Sequence, residues 1–175
     1  RSYLSKFYDD NWMLQYGFLE RTTPPPSIDE VLRFKRGEES DLPDLVTIES
    51  TKKVGIAIEL MQRYGIPQLP VVRHGTADSL ADIVGSIQER SLLDRVFKNP
   101  DALNDDVAVA MQSPLPAVDG DASVDQVYEG LSSGSGAVVV VSDGRPSGIL
   151  TRSDLLEFLA ARRSQVEQSA AGTRL

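Results

Sequence analysis

The chain has 175 residues, 41% of them hydrophobic and 25% charged, which is the make-up of one ordinary globular domain or two small halves sharing a core. Its formal net charge of -8 argues against a nucleic-acid partner, because Lys and Arg are nowhere gathered to neutralise phosphates. No apolar run approaches the roughly 20 residues that cross a bilayer, and no secretory signal opens the chain. With no cysteine and a single histidine, His74, there is little to ligate a transition metal and no disulfide framework, so a cytoplasmic, metal-free protein is expected.

In chain order, residues 1–23 form an arm crowded with Tyr3, Phe7, Tyr8, Trp12, Tyr16 and Phe18. Residues 24–43 are a linker. Its Pro24-Pro25-Pro26 run forces extended backbone, and Ser27-Ile28-Asp29-Glu30 reads as a capping box opening a short helix through Phe34. The stretch Gly37 to Ser40 is charged and expected to be loose.

From Asp44 to Ala161 the chain repeats itself with an offset of about 70 residues. The first copy (44–100) is expected to run as strand Leu45 to Ile48, helix Lys52 to Tyr64, strand Gln68 to Val72, strand Ile83 to Ile87 and a helix from Ser91 to Phe97. Val54, Ala57, Ile58 and Met61 share one face of its first helix, and Gly65 is a stop signal. The second copy (101–163) gives strand Leu115 to Val118, then helix Ser123 to Leu131 with Val124, Val127, Tyr128 and Leu131 inward. Strand Ala137 to Val141, turn Asp143-Gly144, strand Gly148 to Leu150 and helix Asp154 to Arg162 complete it. Each copy is β-α-β-β-α and too small to bury its own sheet, so the two are expected to pack together as an α/β (α+β) fold with pseudo-two-fold symmetry. The polar tail, 164–175, is expected to be flexible.

The most informative motif is Gly148-Ile149-Leu150-Thr151-Arg152-Ser153-Asp154, a strand delivering a Thr and an Asp to the mouth of a helix. Thr151-x-x-Asp154 is also a plain helix-capping arrangement, and the two roles are compatible. In the first copy Ser91 stands where the Asp would fall, leaving open whether that half binds anything. Gly134-Ser135-Gly136 lacks a following Lys and reads as a helix-to-strand loop rather than a phosphate loop. No nucleophile–base pair or acidic dyad suggests catalysis by this stretch itself, and no catalytic or metal residue is assigned.

The double β-α-β-β-α pattern, with Gly-x-x-Thr-x-x-Asp in one half and Gly65-Ile66-Pro67-Gln68-Leu69-Pro70-Val71-Val72 in the other, resembles a tandem CBS-domain pair, the Bateman module. The arm, through Tyr3-Leu4-Ser5-Lys6-Phe7 and Asp10-Asn11-Trp12-Met13, looks like the end of the catalytic domain of the cystathionine β-synthases, pyridoxal-phosphate enzymes of transsulfuration. The two together resemble the C-terminal regulatory part of a bacterial member, with the pyridoxal phosphate held in a catalytic domain upstream of Arg1. The resemblance implies an adenosine-containing ligand between the copies. Its base would lie against Ile66, Pro67, Gln68 and Leu69, with Leu45, Val46 and Thr47 as the other wall. Asp154 would accept from both ribose hydroxyls, since charge-assisted bonds are the stronger kind. Thr151 would offer its hydroxyl, and Arg152 and Ser153 would complete the motif beside the free N–H groups of the helix start. S-adenosylmethionine is the first expectation, with AMP, ADP or ATP the alternative, for whose phosphates Arg152 and Arg73 are the obvious partners. The partners expected are the upstream catalytic domain and further copies of the chain associating through the CBS helices. A ligand-independent dimerisation module remains the competing reading.

Overall fold

The computed structural model describes residues 25–37, 45–132, 134 and 136–173. The aromatic arm, Pro24, residues 38–44 (with all but Gly37 of the Gly37 to Ser40 stretch expected to be loose), and Ser135 of the Gly-rich loop lie outside these residues.

The linker helix α1 (Ile28–Arg36) starts on Ser27, whose hydroxyl accepts the Glu30 N–H at 3.3 Å. It ends at Gly37 with φ 58°, the left-handed region that glycine enters without steric cost. Repeat one comprises β1 (Ile48–Glu49), α2 (Val54–Tyr64), β2 (Gln68–Val72), β3 (Ile83–Gln88) and α3 (Glu89–Lys98). A four-residue helix, α4 (Val107–Ala110), lies in the inter-repeat segment. Repeat two comprises β4 (Ala117–Asp119), α5 (Val124–Ser132), β5 (Ala137–Ser142), β6 (Arg145–Thr151) and α6 (Arg152–Thr173).

The two sheets have the same topology, β1-β2-β3 and β4-β5-β6, each with its first pair parallel and its second antiparallel. Even the irregularity recurs: the register shifts at Val71/Val72 in one and Val140/Val141 in the other. The β5–β6 turn uses Asp143 (φ 53°) and Gly144 (φ 77°), the paired positive φ values that suit a two-residue hairpin.

The run Ala137-Val138-Val139-Val140 is apolar throughout because both faces of β5 are buried. Val138 and Val140 face a core with α1, α5 and α6. Ala137 and Val139 join Val72, Ile83, Leu115 and Ile149 in the seam between the sheets. A second core closes repeat one around Val54, Ala57, Leu69, Val71, Ile87 and Val107. Strands buried on both faces lose the period-two alternation and read as continuous apolar runs.

The segment preceding each repeat completes the other one. Ile28 donates its N–H to the Ala122 carbonyl (2.8 Å), Asp29 to Gly120 (3.0 Å), and Val124 to Pro26 (3.2 Å). Around repeat one, Val107 donates to Lys52 (2.8 Å), Ala108 to Ser50 (2.9 Å), and Val54 to Asp105 (2.9 Å). Ile28, Val31 and Leu32 of α1 are buried in the core of repeat two, while Val107 is fully buried in that of repeat one.

Several expectations shift. The first strand of each repeat forms later than expected, at Ile48–Glu49 and Ala117–Asp119, with Leu45 packed on the seam instead. Tyr128, expected inward, is 59% exposed, because the core face of α5 is filled by Val124, Val127 and Leu131. The last helix runs to Thr173, through most of the tail expected to be flexible. Gln165, Glu167, Gln168, Ala170 and Ala171 are good helix formers, and each adds a backbone bond to a helix already nucleated.

Candidate functional site

An open cleft of about 1050 Å³ lies where the two repeats meet. From repeat one it is lined by the end of α2, the turn Gly65–Gln68 and α3. From repeat two come Gly136, Thr151, Arg152, Ser153, Asp154 and Glu157, and from α1 comes Lys35. The Gly65 turn is sharp because that residue sits in the left-handed region (φ 61°, ψ 37°) while its N–H still reaches the Met61 carbonyl. This ends α2 and drops Ile66, Pro67 and Gln68 at the cleft mouth before β2 begins.

On the facing side β6 gives way directly to α6. Asp154 Oδ2 accepts the Thr151 N–H at 2.8 Å, and the Asp154 N–H donates to Thr151 Oγ1 at 3.2 Å. This is a reciprocal capping box. Capping is therefore realised, and it points one carboxylate and one hydroxyl at the cleft. Asp154 has a further partner that the sequence reading missed: Lys35 Nζ lies 2.8 Å from the same Oδ2 and 2.7 Å from the Ile149 carbonyl oxygen. The Asp154 side chain is 15% exposed and that of Lys35 31%. A signal for this contact existed, since Ile28, Val31, Leu32 and Lys35 fall on one helical face.

Arg152 donates from Nε to the Leu131 carbonyl at 2.6 Å, capping the end of α5, and its guanidinium lies over Gly136 so closely that a Cβ there would sit 2.7 Å from Cζ. Two cations (Lys35, Arg152) and three anions (Glu89, Asp154, Glu157) line the cleft.

Of the residues singled out by sequence, Ile66, Pro67, Gln68, Thr151, Arg152, Ser153 and Asp154 line this one cleft. Leu69 is fully buried in the core of repeat one and is not part of the lining. Leu45 packs on the seam, Val46 packs on the repeat-one core, and neither they nor Thr47 belong to the lining. Arg73, at the opposite end of β2, is also outside it.

The equivalent place in repeat one is built differently. Ser91 Oγ donates to Gln112 Oε1 (3.0 Å), and the Gln112 backbone pairs with Ser86 in both directions (2.9 and 2.8 Å). A smaller cavity of about 330 Å³ remains there, lined by Gln88, Gln112 and Pro114 among others. Among the described residues no cluster of three or more His, Cys, Asp or Glu could hold a metal ion, and no helix is long and apolar enough to cross a membrane.

Two β-α-β-β-α halves, related by a pseudo-two-fold and sharing a cleft, define a paired α+β module. The chain belongs to the CBS domain family, whose model matches residues 40–98 and 105–161. It is similar to the cystathionine beta-synthase of Dictyostelium discoideum, 25% identical over 91% of this chain and 32% of that protein. It is likewise similar to that of Oryctolagus cuniculus, 26% identical over 93% of this chain and 30% of that protein. The chain thus spans about a third of the length of these curated relatives. Among solved structures, it shares its fold with the CBS domain of the bacterial CNNM/CorC family Mg2+ transporter in complex with ATP. That likeness has a TM-score of 0.60 at 20% identity and covers 87% of this chain and 97% of that one.

Proposed function

We propose that this chain is a regulatory module that binds an adenosyl ligand, S-adenosylmethionine by preference, and through it controls or stabilises a pyridoxal-phosphate-dependent cystathionine β-synthase. The observation that carries the ligand reading is the convergence of Ile66, Pro67 and Gln68 from one repeat with Thr151 and Asp154 from the other on a single cleft. An adenosine needs an apolar slot for its base and an acceptor for its diol. The first group supplies the slot and the Asp154 carboxylate the acceptor. The parent activity rests on the relatives, both cystathionine beta-synthases. The catalytic work, and the pyridoxal phosphate, would belong to the enzyme's other domain.

Charge supports the sulfonium ligand over a nucleotide. Three carboxylates against two cations line the cleft, and one of the cations already holds Asp154. A nucleotide is the second reading, favoured by the ATP complex of the structurally similar transporter domain. A ligand-independent dimerisation module is the third, favoured by the exposed Phe97 (85%) on α3 and Leu156 (67%) on α6, neither of which lines the cleft. Titration calorimetry with S-adenosylmethionine, AMP and ATP separates the three. The account expects saturable binding of S-adenosylmethionine at one site per chain, and weaker or no binding of the nucleotides. Heat only from AMP or ATP would shift the reading to the second, and silence with all three to the last.

A further inference from the structure

We propose that the linker helix α1 is a latch on this cleft, closed by Lys35 and opened by the ligand. The inference rests on the ligand reading given above. Asp154 Oδ2 already accepts from two donors, the Thr151 N–H and the Lys35 ammonium, each at 2.8 Å. A ribose diol that engages both carboxylate oxygens brings one hydroxyl to Oδ1 and the other to Oδ2, whose two lone pairs are already taken, so that second hydroxyl must displace one donor. The Thr151 N–H is fixed by the strand-to-helix junction it caps. Lys35 stands on a separate element at the end of a flexible four-carbon stem, and it is the donor that can withdraw.

A second observation comes from comparing the halves. In both sheets the last strand is an edge, and the residue after its glycine presents backbone groups outward: Ser86 after Gly85, Ile149 after Gly148. In repeat one this edge is closed by main chain, through the two-way pairing of Ser86 with Gln112. In repeat two it is closed by side chains. Lys35 Nζ caps the Ile149 carbonyl at 2.7 Å, and Arg36 Nη2 caps the Ser147 carbonyl at 2.8 Å. A main-chain bridge cannot be exchanged for a ligand without moving the chain, whereas an ammonium can. Repeat two is the responsive half for that reason. Releasing Lys35 loosens the last turn of α1, which precedes both repeats, so occupancy of the cleft is felt on the N-terminal side of the module.

The test uses the whole chain, with S-adenosylmethionine, AMP and ATP as probes. Hydrogen exchange on the wild type needs no variant. A bound probe is expected to speed exchange in the last turn of α1 while slowing it at the start of α6. Lys35→Met, which keeps most of the aliphatic stem, removes the competing closed state, so affinity is expected to rise about tenfold and α1 exchange to lose its response to the probe. Tighter binding with that loss supports the latch. Weaker binding by Lys35→Met would make Lys35 a ligand contact and overturn it. Unchanged affinity, or unchanged α1 exchange on binding in the wild type, would overturn the latch and leave the ligand reading standing. Absence of binding by both proteins would remove the ligand reading, and the latch with it.

Discussion

Thr151 and Asp154 cap each other across the first turn of α6: the backbone N–H of each donates to the side chain of the other, at 2.8 and 3.2 Å. One carboxylate therefore has two duties, holding a helix start and facing a cleft. Replacing Asp154 by Ala removes both. The loss of the cap is expected to cost about 1–2 kcal/mol of stability, and the loss of the diol acceptor about 1.5–3 kcal/mol of binding. Asp154→Asn keeps an acceptor for the Thr151 N–H but loses the charge, so it should retain most of the stability and lose most of the binding. Urea denaturation alongside calorimetry checks the separation. A stability loss in Asp154→Ala with binding retained by Asp154→Asn would mean the carboxylate is a cap alone.

Cross-completion of the repeats predicts an asymmetric response to truncation. Removing residues 1–37 takes Ile28, Val31 and Leu32 out of the repeat-two core. Each fully buried side chain of this type stabilises by about 1.5–3 kcal/mol, so repeat two should lose on the order of 4.5–9 kcal/mol from the three. Amides of β5 should then exchange much faster than those of β2, whose core draws on Val107 instead. Faster exchange confined to repeat one would contradict the assignment.

Gly85 marks where the inter-repeat segment crosses β3. A Cβ there would lie 2.7 Å from Met111 Sδ and 2.8 Å from the Gln112 carbonyl oxygen. Met111 can shift, but the Gln112 carbonyl belongs to the bridge with Ser86 and cannot shift without breaking it. Gly85→Ala is expected to destabilise by about 1–3 kcal/mol, read as a lower urea midpoint.

The exposed apolar side chains of Phe97 on α3 and Leu156 on α6 are those through which we propose that copies of the chain associate. Phe97 and Leu156 bury little within the chain and lie outside the cleft, so Phe97→Glu with Leu156→Glu should change monomer stability by no more than about 0.5 kcal/mol per site. Sedimentation velocity should show the wild type as a dimer and the double variant as a monomer. A wild-type monomer would remove the assembly role.

Much of the fold was legible because it is written twice. The continuous valines of β5, the Gly65 stop and the Asp143-Gly144 turn each encode their element through local chemistry. The first strand of each repeat was placed early because Leu45 and Leu115 are apolar for a different reason: both pack on the seam between sheets. The Thr151–Asp154 motif and the Gly65–Gln68 turn were both recognisable, but three positions taken as the cleft's other wall, Leu45 to Thr47, fall outside its lining. Hydrophobicity cannot tell a wall from a core, and Leu69 went the same way. Lys35 was missed because its partner is distant in sequence. Only the periodicity of Ile28, Val31 and Leu32 placed it on the inward face.

A difference map from crystals soaked with S-adenosylmethionine tests the central claim most directly. The account predicts adenosine density with its base against Ile66, Pro67 and Gln68 and both ribose hydroxyls within hydrogen-bond reach of the Asp154 carboxylate, Lys35 having moved away. Density elsewhere on the molecule, or an empty cleft at saturating ligand with Lys35 still on Asp154, would contradict it.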